Sequence, residues 1–277
     1  MNSLSVKSIA KKWYSLLPFP KEYDQDFQVI LQSTPNVEPV SLSEYNWKIH
    51  EDDQNLNMVM VLYFLEELKA IYGAKGIPDN IFWETVKEIT VYTRRTKEMT
   101  GAIGIKRLHM SLLILSARLF RIGRLQFCMD SLFFDIPEKG LYTGEPVLDV
   151  HITEDGSLDI TACKDSFQMA EEFFARYFPD FRYQYYTCHS WLMDKGLSKF
   201  LHKNANILKF QKLFEIFNHH ESDTILSFLF QYGLTDREKL KDFPVTSVFA
   251  QKIKEHALDG DKFYAASGIR NKSCQNW

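Results

Sequence analysis

Through the first 120 residues, apolar positions recur three and four apart; beyond Arg121 they begin to alternate. Val6, Ile9, Trp13 and Leu16 share one helical stripe, which Pro18 and Pro20 close. Residues 33–53 hold Pro35 and Pro39 among scattered charges and read as irregular chain. A second helix is expected from Asn57 to Tyr72, closing on Gly73 and Gly76. Asp79 or Asn80 can cap a third that carries Phe82, Val86 and Ile89, and Leu108, Leu112, Leu115 and Leu119 line a fourth. After Arg121 the spacing predicts strands at Leu125–Phe134 and Val147–Ile152, with Pro137, Gly140 and Gly144 between them. A helix over about 161–178 follows, then a strand Tyr183–Leu192, a helix 204–217 and a strand Thr224–Phe230. Thr235-Asp236-Arg237-Glu238 reads as a capping box; a helix 246–258 and a last strand Phe263–Arg270 complete the chain. The pattern thus predicts an all-helical N-terminal domain, residues 1–118. An α/β domain, residues 119–277, follows it with at least one parallel crossover.

Composition narrows the function classes. Thirty-three basic residues face 36 acidic ones, for a net charge of −3, so nucleic acid is not the expected partner. Met1 to Lys7 leads directly into Lys11-Lys12, without the apolar stretch of a signal peptide, and no window approaches the ~20 apolar residues of a membrane span. Cys128, Cys163, Cys188 and Cys274 are scattered without a C-x-x-C pair, which argues against disulfides and zinc. A reduced, cytoplasmic protein is the expectation.

Candidate chemistry concentrates in two strands. A period of two puts Val147, Asp149 and His151 on one face, so Asp149 can hold the His151 imidazole in one tautomer, as general bases are held. The same residues also suit a satisfied polar pair at a strand end. In the next strand Tyr183, Tyr185, Thr187, His189 and Trp191 share a face, while Tyr186, Cys188 and Ser190 share the other. Cys188 and His189 therefore cannot pair with each other. A Cys188–His151 pair across adjacent strands remains open beside a buried structural cysteine. The loop Thr153 to Ile160 joins a strand to a helix, where backbone N–H groups can meet phosphate, yet it has one glycine and three carboxylates and no G-x-G-x-x-G. Asp159 or Ser157 can be its N-cap. His219-His220-Glu221 reads as a solvated turn after a helix, Lys209 and Lys212 as a solvated helix face, and Arg121-Ile122-Gly123-Arg124 as an anion clamp or a surface linker.

Several phrases occur together and in order: Arg121-Ile122-Gly123-Arg124-Leu125-Gln126-Phe127, Val147-Leu148-Asp149-Val150-His151-Ile152, Cys163-Lys164-Asp165-Ser166-Phe167, Glu172-Phe173-Phe174, Cys188-His189-Ser190-Trp191-Leu192-Met193-Asp194 and Asn206-Ile207-Leu208-Lys209-Phe210-Gln211. With these the chain resembles a bacterial acyltransferase family that pairs a helical N-terminal domain with a C-terminal domain similar to the GNAT superfamily of CoA-dependent N-acyltransferases. The resemblance implies a mixed sheet flanked by helices, with acyl-CoA wedged between two splayed parallel strands. It places the pyrophosphate at loop 153–160 and implies Ile152, Gly156, Ser157 and Leu158 as cofactor-binding residues. It further implies direct attack of an amine on the thioester, with backbone N–H groups stabilising the oxyanion. Three features depart from the superfamily pattern: the acidic Glu154, Asp155 and Asp159, the helical residues 235–258 before the last strand, and the lack of a matched thiolate-protonating tyrosine, for which Tyr185 and Tyr186 stand nearby.

The resemblance implies an N-acyltransferase that uses acyl-CoA, without a metal, on a small-molecule amine or peptide acceptor. On that reading His151 oriented by Asp149 is the expected base, with Cys188, Ser190 or a tyrosine expected near the leaving thiolate. The alternatives are a non-catalytic GNAT-like module that binds a metabolite or a protein, and a thiol enzyme built on Cys188 and His151.

Overall fold

The computed structural model describes residues 5–50, 52–234 and 236–273. Thr235 and Cys274 lie outside the described residues. The chain divides into two compact units, Met1–Arg121 and Ile122–Trp277.

The first unit is helical: α1 (Val6–Leu16), α2 (Asp24–Ser33), α3 (Gln54–Lys75), α4 (Asp79–Val86), α5 (Glu88–Thr100) and α6 (Leu108–Leu115). Met58 to Leu62 of α3 are all buried, so this helix is apolar around most of its circumference and forms the centre of the unit. Asp53 caps its start by accepting from Asn55 N and Leu56 N, and Gly76 at φ +68° ends it. It thus runs through Gly73, one turn beyond its expected end. Phe82, Val86 and Ile89 are buried as expected, although α4 and α5 are separate helices meeting at Lys87.

The strands are β1 (Leu119–Ile122), which straddles the unit boundary, β2 (Leu125–Ser131), β3 (Pro146–Ile152), β4 (Tyr185–Ser190), β5 (Glu215–Glu221) and β6 (Tyr264–Asn271). They form one sheet in the order β1-β2-β3-β4-β6-β5. The β3–β4 pair is parallel, while β2–β3, β4–β6 and β5–β6 are antiparallel. Helix α7 (Ile160–Tyr177) makes the crossover that a parallel pair requires. Its Phe167 packs at 4.8 Å from Tyr186 and 5.6 Å from Phe127, so α7 covers the face carrying the even-numbered residues of β4. A second core gathers Trp191, Leu197, Ile225, Leu226, Leu240, Ile253, Ala257 and Phe263 around α9 (Thr224–Leu229) and α10 (Val248–Leu258).

Three expectations are corrected. Leu119 opens β1 rather than continuing the face of the fourth helix, since α6 ends at Leu115. Helix α8 covers only Asn206–Gln211, and residues 215–221 are strand, so His219-His220-Glu221 lies in β5 rather than in a turn. Pairing with β6 decided this: Glu215 opposes Ile269 and Phe217 opposes Ser267, and a bulge before His220 accommodates Asn218 at φ +50°. Residues 224–229 are helix rather than strand. A short apolar run carries no period of its own, and the adjacent Ile225 and Leu226 both enter the second core.

Candidate functional site

The β3–β4 ladder is short. Val147 opposes Tyr185, Leu148 opposes Tyr186 and Asp149 opposes Thr187, and there the pairing stops. Both strands nevertheless continue, β3 to Ile152 along β2 and β4 to Ser190 along β6. The two parallel strands therefore part beyond Asp149 and Thr187. Their facing backbone groups from Val150 and Cys188 onward lack each other as partners.

One sheet face at this gap is polar. Thr187 Oγ1 donates to Asp149 Oδ1 at 2.7 Å, and His151 Nε2 lies 3.1 Å from Asp149 Oδ2. Each carboxylate oxygen is thus engaged, and the imidazole is oriented as the strand pattern predicts. His189 follows two residues after Thr187 on the same face. Its Nδ1 lies 2.9 Å from Ser267 Oγ, its ring stacks on His220 at 5.1 Å, and the ring of Phe133 meets it edge-on at 5.4 Å. This packing, and then the neighbouring His220, hold the His189 pKa below the usual histidine value, while Asp149 opposes them. His189 is accordingly a neutral imidazole near pH 7. Face parity alone aligned Thr187 and His189 with each other; the register that brings them beside Asp149 was not legible from sequence.

The other face takes Cys188 and Tyr186 away from this cluster. Cys188 is 1% exposed, and burial, then the Asp149 charge, push its thiol well above the ordinary range. It lies opposite His151 across the sheet, which removes the open Cys188–His151 pair and leaves the buried structural cysteine. The Tyr186 hydroxyl is buried with Tyr183 and Glu171, each at 3.3 Å. Ser190 ends β4, where its Oγ accepts from Leu192 N at 3.1 Å and so caps the following turn.

The loop after β3 is held from beneath by Arg124. Its guanidinium donates to Thr153 Oγ1 at 2.7 Å, Thr153 O at 3.1 Å, Gly156 O at 3.1 Å and Ser157 O at 2.7 Å. Arg124 is therefore neither linker nor open anion clamp; it fixes the loop and places positive charge within it. The hairpin turn Gly123-Arg124 is pinned to α7, since Arg124 N donates to Ser166 Oγ at 2.7 Å. Gly123 has φ +65°, and a Cβ there would stand 2.6 Å from the same oxygen. Asp159 is the N-cap of α7, accepting from Thr161 N and Ala162 N at 3.0 Å each, so one of the three loop carboxylates is consumed by the helix. Gly156 sits at φ +76°, Ser157 Oγ accepts from Asn206 Nδ2 at 3.1 Å, Leu158 is half-buried and Ile152 ends β3 opposite Leu125. Of the four expected cofactor contacts, Ile152 thus closes β3 and Gly156, Ser157 and Leu158 follow in the loop at the open end of the parted strands. Among the described residues, no group of three His, Cys, Asp or Glu side chains is placed to hold a metal ion.

A parallel pair parted around a strand–loop–helix, with the last two strands inserted in reverse order, is the fold of a GNAT-like domain. Residues 119–270 match the family described as "GNAT-like C-terminal domain", and the chain belongs to that family. The chain is also similar to solved acyltransferases. One, in complex with decanoyl-CoA, superposes with a TM-score of 0.76 at 22% identity, over 94% of this chain and 86% of that one. Another, in complex with decanoyl-CoA and teicoplanin, gives 0.69 at 20% identity, over 94% and 82%. An acyltransferase mutant in complex with octanoyl-CoA gives 0.69 at 19% identity, over 95% and 84%. The superposition spans the helical unit as well as the sheet, so the two-part architecture is shared. No curated protein matches the chain.

Proposed function

We propose that this protein is an N-acyltransferase that moves a medium-chain acyl group from acyl-CoA to an amine on a bulky acceptor. The carrying observation is the end of the β3–β4 ladder at Asp149 and Thr187 while both strands continue. Amide groups along a pantetheine arm complement a strand edge in the way an added β-strand does. Loop 153–160 and the start of α7 then receive the pyrophosphate, with Arg124 within the loop as its fixed positive charge. The chain lengths follow the decanoyl-CoA and octanoyl-CoA of the similar structures, and the bulky acceptor follows their teicoplanin.

The amine nitrogen attacks the thioester carbonyl, forming a C–N bond. Collapse of the tetrahedral oxyanion, stabilised by strand N–H groups, breaks the C–S bond. His151, held by Asp149, takes the proton from the attacking nitrogen. Ser190 has a hydroxyl hydrogen left to donate to the departing thiolate, which takes its own proton from solvent. His189, neutral and on the same face, offers a second site for the proton.

Titration calorimetry with CoA, acetyl-CoA and decanoyl-CoA tests the cosubstrate. Binding that strengthens with the acyl chain supports the proposal. Absence of binding by all three overturns it in favour of a non-catalytic module, the reading that Glu154 and Asp155, exposed on the loop, support. With an acceptor amine in hand, His151→Ala should lower kcat by roughly 10²- to 10⁴-fold with unchanged thermal unfolding; undiminished turnover would remove His151 as base.

A further inference from the structure

A cavity of about 880 Å³ opens beside the edge strand β5 and helix α8, with the turn Lys195–Lys199 along one side. Its volume lies within the range of small-molecule sites. None of Asp149, His151, His189 or loop 153–160 lines it. Leu201, Leu208 and Ile216 form a half-buried apolar floor with the buried Phe214. Lys195, Lys203 and Lys212 stand exposed around it, and none of the three is in an ion pair among the described residues.

The other polar side chains of the cavity have their donor hydrogens, or in Glu215 the carboxylate, already engaged. Gln211 Nε2 donates to Leu192 O and Asp194 O, at 2.8 Å each, and so spends both hydrogens. The Ser198 hydroxyl donates to Lys195 O at 2.9 Å. The Glu215 carboxylate is paired with Lys139 at 2.5 Å. What remains for a ligand is an apolar surface bordered by three ammonium groups. We propose that this cavity is a binding site for a single-chain amphiphile with a carboxylate or phosphate head. The apolar chain lies on Leu201, Leu208 and Phe214, and the head meets the lysines at the rim. A nucleotide suits the cavity less, because neither Gln211 nor Ser198 has a hydrogen left to donate to a base or a ribose.

Sodium decanoate, kept below its micelle-forming concentration, is the probe, titrated calorimetrically into the full chain with and without excess CoA. One saturable event that persists with CoA is expected. The exposed-site double variant Lys203→Glu/Lys212→Glu should weaken it by about tenfold or more. Decanol, with the same chain and no charge, should bind more weakly. An unchanged affinity in the double variant, equal binding of decanol, or loss of the event when CoA is present would each overturn the assignment. The last outcome would make the cavity part of the cosubstrate site. His151→Ala leaves this event unchanged, so failure here and failure of the transferase reading are separate results.

Discussion

Asp149 has two carboxylate oxygens and two partners, Thr187 on one and His151 on the other. That division holds the carboxylate between its two partners and turns the imidazole toward it. Asp149→Asn preserves the shape but removes the charge that stabilises the protonated ring, so kcat should fall by roughly 10²- to 10⁴-fold with KM little changed, measured by thiol release. His189 carries a different consequence. Its folded-state pKa is depressed by burial, so the unfolded chain binds its proton more readily. Stability is full above the unfolded value of about 6.5 and declines as pH falls through it toward the lower folded value. His189→Gln should flatten that part of the denaturation midpoint against pH; an unaltered profile would show that the ring is not depressed. Gly123 is fixed by both φ and space, and Gly123→Ala should cost about 1–3 kcal/mol in urea unfolding.

At the scale of elements, α7 and the loop before it behave as one part. Asp159 closes the helix from the loop side, Arg124 binds the loop carbonyls, and Ser166 within α7 accepts from the Arg124 backbone. Asp159→Ala should remove about 1 kcal/mol of stability, read as a lower urea midpoint. Because the cap also sets where the loop N–H groups point, it should weaken CoA binding beyond any change made by a distant cap such as Ser247→Ala on α10. Much of this part was legible in sequence: the strand, the loop, the candidate N-cap and the helix stood in their observed order. Arg124 was legible as a charge but not as the loop's anchor, because its four acceptors include three backbone carbonyls, 29 to 33 residues away in sequence. Strand β5 shows the limit in another way. Phe210, Phe214 and Phe217 hold a helical spacing, yet pairing with β6 satisfies the backbone of residues 215–221 and overrides that local signal.

Across the whole molecule, a ligand that binds the folded chain raises its unfolding temperature in proportion to the logarithm of its concentration over Kd. Decanoyl-CoA at 100 times its Kd should add about 2.7 kcal/mol. CoA at the same concentration should add less if the acyl chain contributes affinity; equal shifts would place all of the affinity in the nucleotide and pantetheine. The sequence by itself determined the helical first half, the alternation of strand and helix in the second, and the pairing of Asp149 with His151, because each rests on residues within one turn or two steps of a strand. No helix among the described residues is long and apolar enough to cross a membrane, which composition also foretold. Tertiary structure alone decided where the β3–β4 ladder ends, which face Cys188 takes relative to His151, that Thr187 and His189 join Asp149, and that residues 215–221 extend. All four depend on register between strands far apart in the chain. Register is set by the fit of whole faces against α7 and against the second core, and a local pattern carries no record of it.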